Sequence, residues 1–485
     1  MLRKLLPIAL LSAVLAAGPG STPAPALAQD NLPSLGRSNT GLSEMDEKRL
    51  GREFIRNARR SMPFVEDPEL TQYISDLGQR IANSSDEPAS EYHFYLIRDS
   101  ALNAFAVPGG HIAVNTGLIM ATETEAELAS VLAHEVAHIT QRHLARMLDQ
   151  SKGQGLKMLG ALAAAILLGG EAGQAAFVAA NANAIENRLE YSRGFEREAD
   201  GIGLQTLARA GYDPRAMPTF FERLQRWARV YETGAPEFLR THPLTTDRIA
   251  DTHVRAESYQ RTRNPDQSDF YHVRAKIRAT FSDDPGSTAG QFASNLESGD
   301  YENETAERYG YALALSNAGR NNEALGVIDQ LLEENPGSVR HQIARGNILA
   351  GSGRYEDALV HFERIHERWP DDRALSLYYA SSLIQTRHYA EAKRILKKQL
   401  LKDSEDPRIY SLLARAEGEM GNSLLAHQNL AEYHYLRANL QEAYRQLKLA
   451  EKYTGDSDYA RQSVEARMKD VRREMEIFDE KLEDR

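Results

Sequence analysis

The chain of 485 residues contains no cysteine. This absence excludes disulfide bonds, thiolate metal sites and a cysteine nucleophile. Any transition-metal site must therefore be built from histidine, aspartate and glutamate side chains. The absence of cysteine does not by itself identify a cellular compartment.

Positive charge is in deficit, because 69 acidic residues face 58 lysines and arginines and leave a net charge of −11. Proteins that bind nucleic acid neutralise its phosphates with basic surfaces, so this balance argues against nucleic acid as the main partner. The length of the chain allows two or three domains. We therefore expect a multidomain protein whose partners are not nucleic acids.

After its N-terminus the sequence also lacks an apolar run of the about 20 residues that cross a bilayer. The longest candidate is residues 158–170, and Glu171 interrupts it before apolar residues resume at 175–180. Residues 158–180 are interpreted as a buried helical hairpin. The alternative is a flexible apolar loop that forms a lid or makes peripheral contact with a membrane or a partner.

A histidine motif carries the strongest functional signal. It reads H-E-x-x-H and begins at His134. Residues four apart lie on one face of a helix, so His134 and His138 can bind one metal ion. Glu135 lies beside that face, in the position of a general base for water at a zinc ion. A capping box that starts at Thr124 predicts the beginning of this helix. The alternative is a buried helix that carries two histidines by chance.

A catalytic zinc site needs a third protein ligand and an open position for water. The best candidate is Glu196, in a charged run that ends at Asp200. These two residues are four apart, so one could bind the metal while the other accepts a hydrogen bond from a ligand histidine. Glu198 points elsewhere. The alternative is a charged, solvated helix face.

The segment before the motif reads as a mixture of helix and strand. Amphipathic patterns predict helices over 45–60 and 68–81. Alternation predicts a strand over 92–97, and a Pro-Gly-Gly turn predicts a hairpin of 103–107 with 111–115. The histidine that begins the second hairpin strand is interpreted as structural rather than as a metal ligand.

The C-terminal half of the sequence repeats every 34 residues. Alanine recurs at this spacing as Ala324, Ala358, Ala392 and Ala426. Thirty-four residues is the period of TPR units, each a pair of helices that stack into a curved solenoid with a concave binding face. Four units are predicted from about residue 304, followed by a helical cap. Five tyrosines could line the concave face, although most such aromatics pack between helices: Tyr378, Tyr379, Tyr410, Tyr433 and Tyr435.

The N-terminus reads as a cleaved secretory signal. Arg3 and Lys4 precede an apolar core over 5–17, and small residues at 26–28 offer a cleavage site before Gln29. An uncleaved anchor is the alternative, and the absence of cysteine leaves no site for a bacterial lipoprotein anchor. Export of an acidic, cysteine-free protein with TPR units indicates a bacterial periplasm.

These motifs together resemble one family of enzymes. The motif at His134, followed by S-R-x-x-E-x-x-A-D ending at Asp200, is similar to the zinc peptidases that include HtpX and the CAAX prenyl-protein endopeptidase. Residues 103–110 and 241–243 add two further family elements. The resemblance is strongest to BepA-like periplasmic zinc metalloproteases with a C-terminal TPR domain, and it covers essentially the whole mature chain.

The resemblance implies one zinc ion per chain. Its ligands would be His134, His138 and Glu196, with Glu135 as the catalytic base. Asp200 would complete the catalytic set as the residue that orients a ligand histidine. In BepA-like proteins the histidine that matches His242 can occupy the fourth zinc position and hold the enzyme inactive.

The resemblance also implies how a substrate is held. Zinc peptidases hold an extended substrate by main-chain pairing with an exposed edge strand. Here that strand would be formed by Asn103, Ala104, Phe105 and Ala106. An ordinary interior strand is the alternative. Arg248 would steady either the substrate carbonyl or the loop that carries the regulatory histidine.

Two classes of function compete. The first is a zinc endopeptidase of the periplasm with a chaperone-like role in outer-membrane protein assembly and quality control. The second is a non-proteolytic TPR chaperone or scaffold with a structural or vestigial zinc site. Glu135 favours the enzyme, because metal-assisted hydrolysis needs this glutamate and a structural site does not. By resemblance, the partners would be unfolded or stalled outer-membrane proteins and, through the TPR units, the β-barrel assembly machinery.

The predicted fold is mainly α. A signal peptide over 1–28 precedes an α+β zincin-type metallopeptidase domain with a small β-sheet over 29–265. Connecting helices over 266–303 lead to an all-α TPR solenoid with a C-terminal helical cap over 304–485.

Overall fold

The computed structural model describes residues 43–150, 185–230 and 237–477. Within these ranges helices dominate, with one small sheet in the N-terminal part and an array of helix pairs in the C-terminal part. The prediction of a mainly α fold is confirmed. The predicted signal peptide and the apolar segment 158–180 lie outside the described residues. In the described part of the chain, no helix is long and apolar enough to cross a membrane.

The N-terminal part contains every strand of the sheet and the helices around it. The two predicted helices, the predicted strand and the predicted hairpin before the histidine motif all form. The elements are, in order, α1 (Glu44–Ser61), α2 (Pro68–Asn83), β1 (His93–Ile97), β2 (Ala104–Val107), β3 (His111–Asn115), α3 (Thr116–Ala121), α4 (Glu125–Thr140), α5 (His143–Gln150), α6 (Ile185–Arg209), α7 (Ala216–Val230), α8 (Glu237–Thr241) and α9 (Thr246–Glu257).

The three strands form a sheet in the order β1-β3-β2, with β1 parallel and β2 antiparallel to β3. The outer side of β1 pairs with Phe64, which leaves β2 as the other edge strand. The backbone N–H of Asn115 donates to the carbonyl of Asn103. This bond determines which residue pairs of the hairpin are hydrogen-bonded and which are not. Because bonded and non-bonded pairs alternate, Ala104 and Ala106 turn their N–H and C=O groups away from β3.

Both faces of the sheet are covered, which explains why every residue of β3 is buried. One face packs against α2 and α4 through Ile112 and Val114. The other face packs against α1, where Ala113 and Phe105 meet Ile55. The sheet therefore lies between the first helix of the chain and the helix that carries the histidine motif.

The C-terminal part is a stack of helix pairs. Its helices are α10 (Ser268–Thr280), α11 (Pro285–Ser298), α12 (Glu304–Asn317), α13 (Asn321–Glu334), α14 (Val339–Gly351), α15 (Tyr355–Arg368), α16 (Arg373–Gln385), α17 (Tyr389–Leu400), α18 (Pro407–Glu419), α19 (Ser423–Leu436), α20 (Leu440–Glu451) and α21 (Asp458–Ile477). The four predicted repeat units correspond to the pairs from α12 to α19. The predicted cap is the pair α20 and α21.

The turn inside each pair from α12 to α21 has a left-handed backbone. This conformation recurs every 34 residues at Gly319, Gly353, Arg387, Gly421 and Gly455. Arginine replaces glycine once and adopts φ 66° there, a conformation that strains a residue with a Cβ atom. The same conformation at Gly455 extends the repeat register through α20 and α21.

The array contacts the N-terminal part through the beginning of α2. The backbone N–H of Ala374, at the start of α16, donates to Oε1 of Gln72 at 2.9 Å. The hydroxyl of Tyr378, also on α16, donates to Asp67 at 2.9 Å. Lys276 on α10 is buried and pairs with both Asp67 and Glu69. The predicted boundary near residue 283 is a turn between α10 and α11, and α10 contributes to the apolar cores on both sides.

Candidate metal centre

The histidine motif lies in the interior of the molecule because α4 is a core helix. Thr124 caps it by accepting a hydrogen bond from the backbone N–H of Glu127. The side chain of Glu127 accepts from the N–H of Glu123 rather than from that of Thr124, so the predicted capping box is only half formed. Nearly every residue of α4 is buried, including His134 and Glu135, which are each 1% exposed.

Two further segments bring their polar side chains to α4. The helix α6 packs along α4 and presents Glu196 and Asp200 on one face, as their spacing predicts. His242 follows the last residue of α8, and Thr245 then caps α9. The ring of His242 stacks on Phe238 with centroids 4.7 Å apart. A short turn between two helices therefore holds His242 against the motif.

The structure brings together the side chains of His134, His138, Glu196 and His242. The two motif histidines face each other through their Nε2 atoms at 3.1 Å. Glu196 brings Oε2 to 3.3 Å from Nε2 of His134 and Oε1 to 3.5 Å from Nε2 of His138. His242 brings Nδ1 to 3.3 Å from Nε2 of His134 and to 3.2 Å from Oε1 of Glu196.

These spacings suit a tetrahedral metal ion. Zinc binds nitrogen and oxygen ligands at about 2.0–2.2 Å, which places the ligand atoms of a tetrahedral site about 3.3 Å apart. Five of the six pairs among the four residues have ligand atoms 3.1 to 3.5 Å apart, which agrees with that value, and all four ligand atoms lie within 4.8 Å of one another. The donor set of three imidazoles and one carboxylate also belongs to the chemistry of zinc rather than to that of calcium or magnesium. The residues present therefore fit a zinc ion.

Electrostatics in the cluster favour a cation at its centre. Burial alone would lower the pKa of His134, but Asp200 and Glu196 outweigh burial and raise it to about 10. Burial lowers the pKa of His138 well below its ordinary value. Burial alone would raise the pKa of Glu196, but His242 and His134 outweigh it and hold that pKa well below its ordinary value. A buried carboxylate among imidazole lone pairs is stabilised by a positive charge, which a proton or a metal ion supplies.

Glu135 lies beside the cluster without joining it. Neither of its carboxylate oxygens has a hydrogen-bond partner among the described residues, and Oε1 lies 3.4 Å from Nε2 of His242. Burial raises the pKa of Glu135, against the opposing influence of His242, His134 and the nearby backbone N–H of Ala106. A buried carboxylate with a raised pKa is suited to general-base work near neutral pH. The N–H of Ala106 also places the outer edge of β2 next to this carboxylate.

Asp200 and Arg248 support the cluster from one side. Oδ1 of Asp200 lies 3.1 Å from Nδ1 of His134, the ring nitrogen that faces away from the cluster. Arg248 donates to both oxygens of Asp200, at 2.7 and 2.8 Å, and to the carbonyl of Pro243 at 2.8 Å. Of the two roles expected for Arg248, the contacts favour steadying the loop, because its guanidinium fastens the residue after His242 to α6.

Sequence reasoning missed His143. This residue is buried at the start of α5, and its Nδ1 lies 2.9 Å from Nδ1 of His138. Glu198 points away from the cluster, as predicted, but it reaches Nε2 of His143 at 3.3 Å. A histidine five residues after the motif was the available signal, but the turn between α4 and α5 hides the contact from a purely helical periodicity. His111 lies outside the cluster, stacked on His93 and Tyr95.

The chain is similar to known proteins along most of its length. Residues 68–256 match Peptidase family M48, and residues 349–416 match the tetratricopeptide repeat. The beta-barrel assembly-enhancing protease of Yersinia pestis is 34% identical over 430 residues, which cover 87% of this chain and 88% of that protein. The protein of the same name from Escherichia coli K12 is 32% identical over 461 residues, which cover 94% of both. The mitochondrial metalloendopeptidase OMA1 of Schizosaccharomyces pombe is 34% identical over 202 residues, 42% of this chain and 57% of that protein.

The fold and the site define a metal-dependent endopeptidase of the M48 type that carries TPR repeats. More narrowly, similarity along nearly the whole length shows that the chain belongs to the family of the beta-barrel assembly-enhancing proteases.

Proposed function

We propose that this chain is a zinc-dependent endopeptidase of the bacterial periplasm that acts during the assembly and quality control of outer-membrane proteins. One observation carries the proposal. Four potential ligand atoms, contributed by His134, His138, Glu196 and His242, lie within 4.8 Å of one another, beside the buried carboxylate of Glu135. A purely structural site would have no use for that carboxylate.

The proposed hydrolysis of a peptide bond gives the residues of the site separate roles. A bound zinc ion supplies Lewis acidity, which polarises a carbonyl and lowers the pKa of water to about 7. Glu135 accepts the proton of the attacking water and delivers it to the leaving amine. An extended substrate pairs with the outward N–H and C=O groups of Ala104 and Ala106, within the proposed substrate strand Asn103 to Ala106. This pairing places the substrate backbone beside Glu135, because the N–H of Ala106 lies next to that carboxylate.

The decisive experiment separates metal binding from catalysis. Glu135→Gln removes the base but none of the four cluster side chains, so the purified variant should keep its zinc and its fold and lose cleavage of casein. Glu222→Gln, a change at a half-exposed position on α7, is the control and should leave both zinc content and cleavage unchanged. Cleavage by Glu135→Gln at the wild-type rate would show that the base is assigned wrongly.

The proposed ligands have a graded test. His134→Ala, His138→Ala and Glu196→Ala should each lower zinc content, because each removes an atom of the cluster. Asp200→Ala should weaken zinc affinity by about ten- to a hundredfold, since it removes the partner that orients His134. Full zinc affinity in Glu196→Ala would contradict the ligand set and make His242 the third ligand.

We propose that His242 restrains the enzyme. Its ring lies between the base and the ligand carboxylate, with Nε2 3.4 Å from Glu135 and Nδ1 3.2 Å from Glu196. A side chain in this place excludes both water and a substrate carbonyl. His242→Ala should therefore raise proteolysis and self-cleavage while the other three ligands retain zinc. His253→Ala, at a half-exposed position on α9, is the matched control. An unchanged or lower rate in His242→Ala with normal zinc content would contradict the restraint.

The cellular setting is part of the same proposal. The N-terminal segment 1–28 has the composition of a cleaved secretory signal, and the relatives are named for enhancing β-barrel assembly. We propose that unfolded or stalled outer-membrane proteins are the substrates, and that the TPR solenoid over 304–485 recruits them or the β-barrel assembly machinery. Mature protein in the periplasmic fraction should begin at Gln29. The inactive Glu135→Gln protein should retain an unfolded outer-membrane β-barrel protein in co-purification, and failure to retain it would contradict the substrate class.

A further inference from the structure

Each motif histidine has a second ring nitrogen that faces away from the metal centre. Nδ1 of His134 lies 3.1 Å from Oδ1 of Asp200. Nδ1 of His138 lies 2.9 Å from Nδ1 of His143, and Nε2 of His143 lies 3.3 Å from Oε2 of Glu198. The outward nitrogen of His138 is thus linked to a row of hydrogen-bonded side chains, His143 and then Glu198, which does not include Asp200.

The ring protons of His138 and His143 can be arranged in one consistent way. A metal ion needs the lone pair on Nε2 of His138, so the proton of that ring must lie on Nδ1 and needs an acceptor. Nδ1 of His143 offers a lone pair when the proton of His143 lies on Nε2. That Nε2–H then donates to the carboxylate of Glu198. Each ring nitrogen in the row therefore has one role, donor or acceptor, in the direction that leaves His138 ready to bind metal.

The position of His143 is fixed by its surroundings. The imidazole stacks on the ring of Phe195 with centroids 4.7 Å apart and planes at 23°. Arg146 lies over the same phenyl ring, and its Nη1 donates to Glu198 at 2.9 Å. The side chain of His143 is 4% exposed and that of Glu198 is 19% exposed. The hydrogen bonds to His143 therefore form in a site with little water to replace them.

The turn that places His143 is strained. Arg142, between α4 and α5, has φ 51°, in the left-handed region that a side chain disfavours. The strain of a non-glycine residue in this region persists only where the surrounding structure compensates it. Here the guanidinium of Arg142 donates twice to Glu47 on α1, at 3.0 and 2.7 Å. The ion pair of Arg142 with Glu47 thus stabilises a turn that reverses the chain and places His143 against α4.

We propose that His143 and Glu198 are positioning residues that hold His138 in its metal-binding tautomer and orientation. Asp200 and Arg248 serve His134 in the same way from the other side of the cluster. The inference rests on the proposed zinc site and extends it, because the two motif histidines would then be oriented by two separate networks.

The test measures zinc affinity in the purified full-length protein by competition with a chromophoric chelator. His143→Leu keeps the bulk against Phe195 but removes the acceptor, and it should weaken zinc binding by about ten- to a hundredfold. His143→Asn restores an acceptor oxygen near the position of Nδ1 and should recover most of that affinity. Glu198→Ala, a change at a partly exposed position, should weaken zinc binding by about tenfold, the lower end of that range.

His111→Leu is the control, because His111 is equally buried and stacked on aromatic rings but lies outside the metal centre. It should leave zinc affinity unchanged even where it lowers the melting temperature. Wild-type zinc affinity in both His143→Leu and Glu198→Ala would overturn the positioning role alone. Equal weakening by His143→Leu and His143→Asn would also overturn it. A wild-type protein that binds no zinc would overturn the proposed function, and this inference with it.

Discussion

Replacing Arg248 by methionine removes a buried cation that pairs with two buried carboxylates. The Arg248 side chain is 2% exposed, and it pairs with Asp200 at 2.7 Å and with Glu196 at 2.9 Å. It also donates to the carbonyl of Pro243 at 2.8 Å. Breaking a buried ion pair from one side costs about 3–5 kcal/mol, because the remaining charge stays buried without its partner. The free energy of unfolding of a domain is only about 5–15 kcal/mol, so Arg248→Met should remove a large part of it.

The chain offers its own control and its own reporters for this measurement. Arg255 lies on the same helix and pairs with Asp251 at 2.9 Å, but these two side chains are 39% and 38% exposed. Arg255→Met should therefore change the free energy of unfolding by less than about 0.5 kcal/mol. The two tryptophans report on different parts of the molecule, since Trp227 packs on the N-terminal core and Trp369 packs on the array. Urea unfolding in a Trp369→Phe background, followed by fluorescence, reports the core around Arg248.

The two roles expected for Arg248 make opposite predictions. A residue that fastens the loop after Pro243 should lower stability and zinc affinity together when it is replaced. A residue that only steadies the substrate carbonyl should lower the rate of cleavage and leave both unchanged. If Arg248→Met unfolds within about 0.5 kcal/mol of Arg255→Met, the energetic reasoning from burial is refuted.

Two further predictions concern the repeat array. A Cβ atom at Gly346 would lie 2.5 Å from the ring of Phe362, whereas one at Gly326 would meet nothing within 4 Å. In urea unfolding, Gly346→Ala should lose about 1–3 kcal/mol and Gly326→Ala should gain about 0.4–1 kcal/mol, so equal effects would contradict this packing. Burial and the neighbouring His272 lower the pKa of His341 from 6.5 to about 3, so the unfolded chain binds the extra proton below pH 6.5. The free energy of unfolding should therefore fall between pH 6.5 and 5 by up to about 1.4 kcal/mol per pH unit for this group, and less steeply in His341→Leu.

Local sequence patterns predicted most of the helices and strands, because interactions between residues close in sequence determine where these elements form. The hairpin around Gly109 and Gly110 follows from two residues that adopt positive φ, and the repeat follows from small residues at fixed spacing. The metal centre was predictable to the extent that spacing on one helix face determines it, as for Glu196 and Asp200 on α6. Glu198 was also placed correctly, on another side of that helix.

Contacts across turns were beyond such patterns. His143 reaches His138 only because Arg142 adopts a left-handed conformation, and no periodicity encodes that reversal. The two roles of Arg248 could not be separated in the sequence, since the choice depends on a carbonyl 2.8 Å away in another segment. Long-range partners of this kind are decided by packing, where the burial of a charge requires a counter-charge from whichever element lies opposite.

Part of the repeat array is occupied by contacts with α2. A TPR solenoid offers its concave face to partners, yet here residues of α16 and α18 contact the beginning of α2. The same helix packs on α4, where the hydroxyl of Tyr73 donates to Glu125 at 3.0 Å. Buried Lys276 joins α10 to Asp67 and Glu69 at this junction, so separating the array from α2 would leave those charges without their partner. The array is therefore part of the support of the helix that carries the histidine motif, and a partner protein would have to bind the surfaces that α2 leaves free.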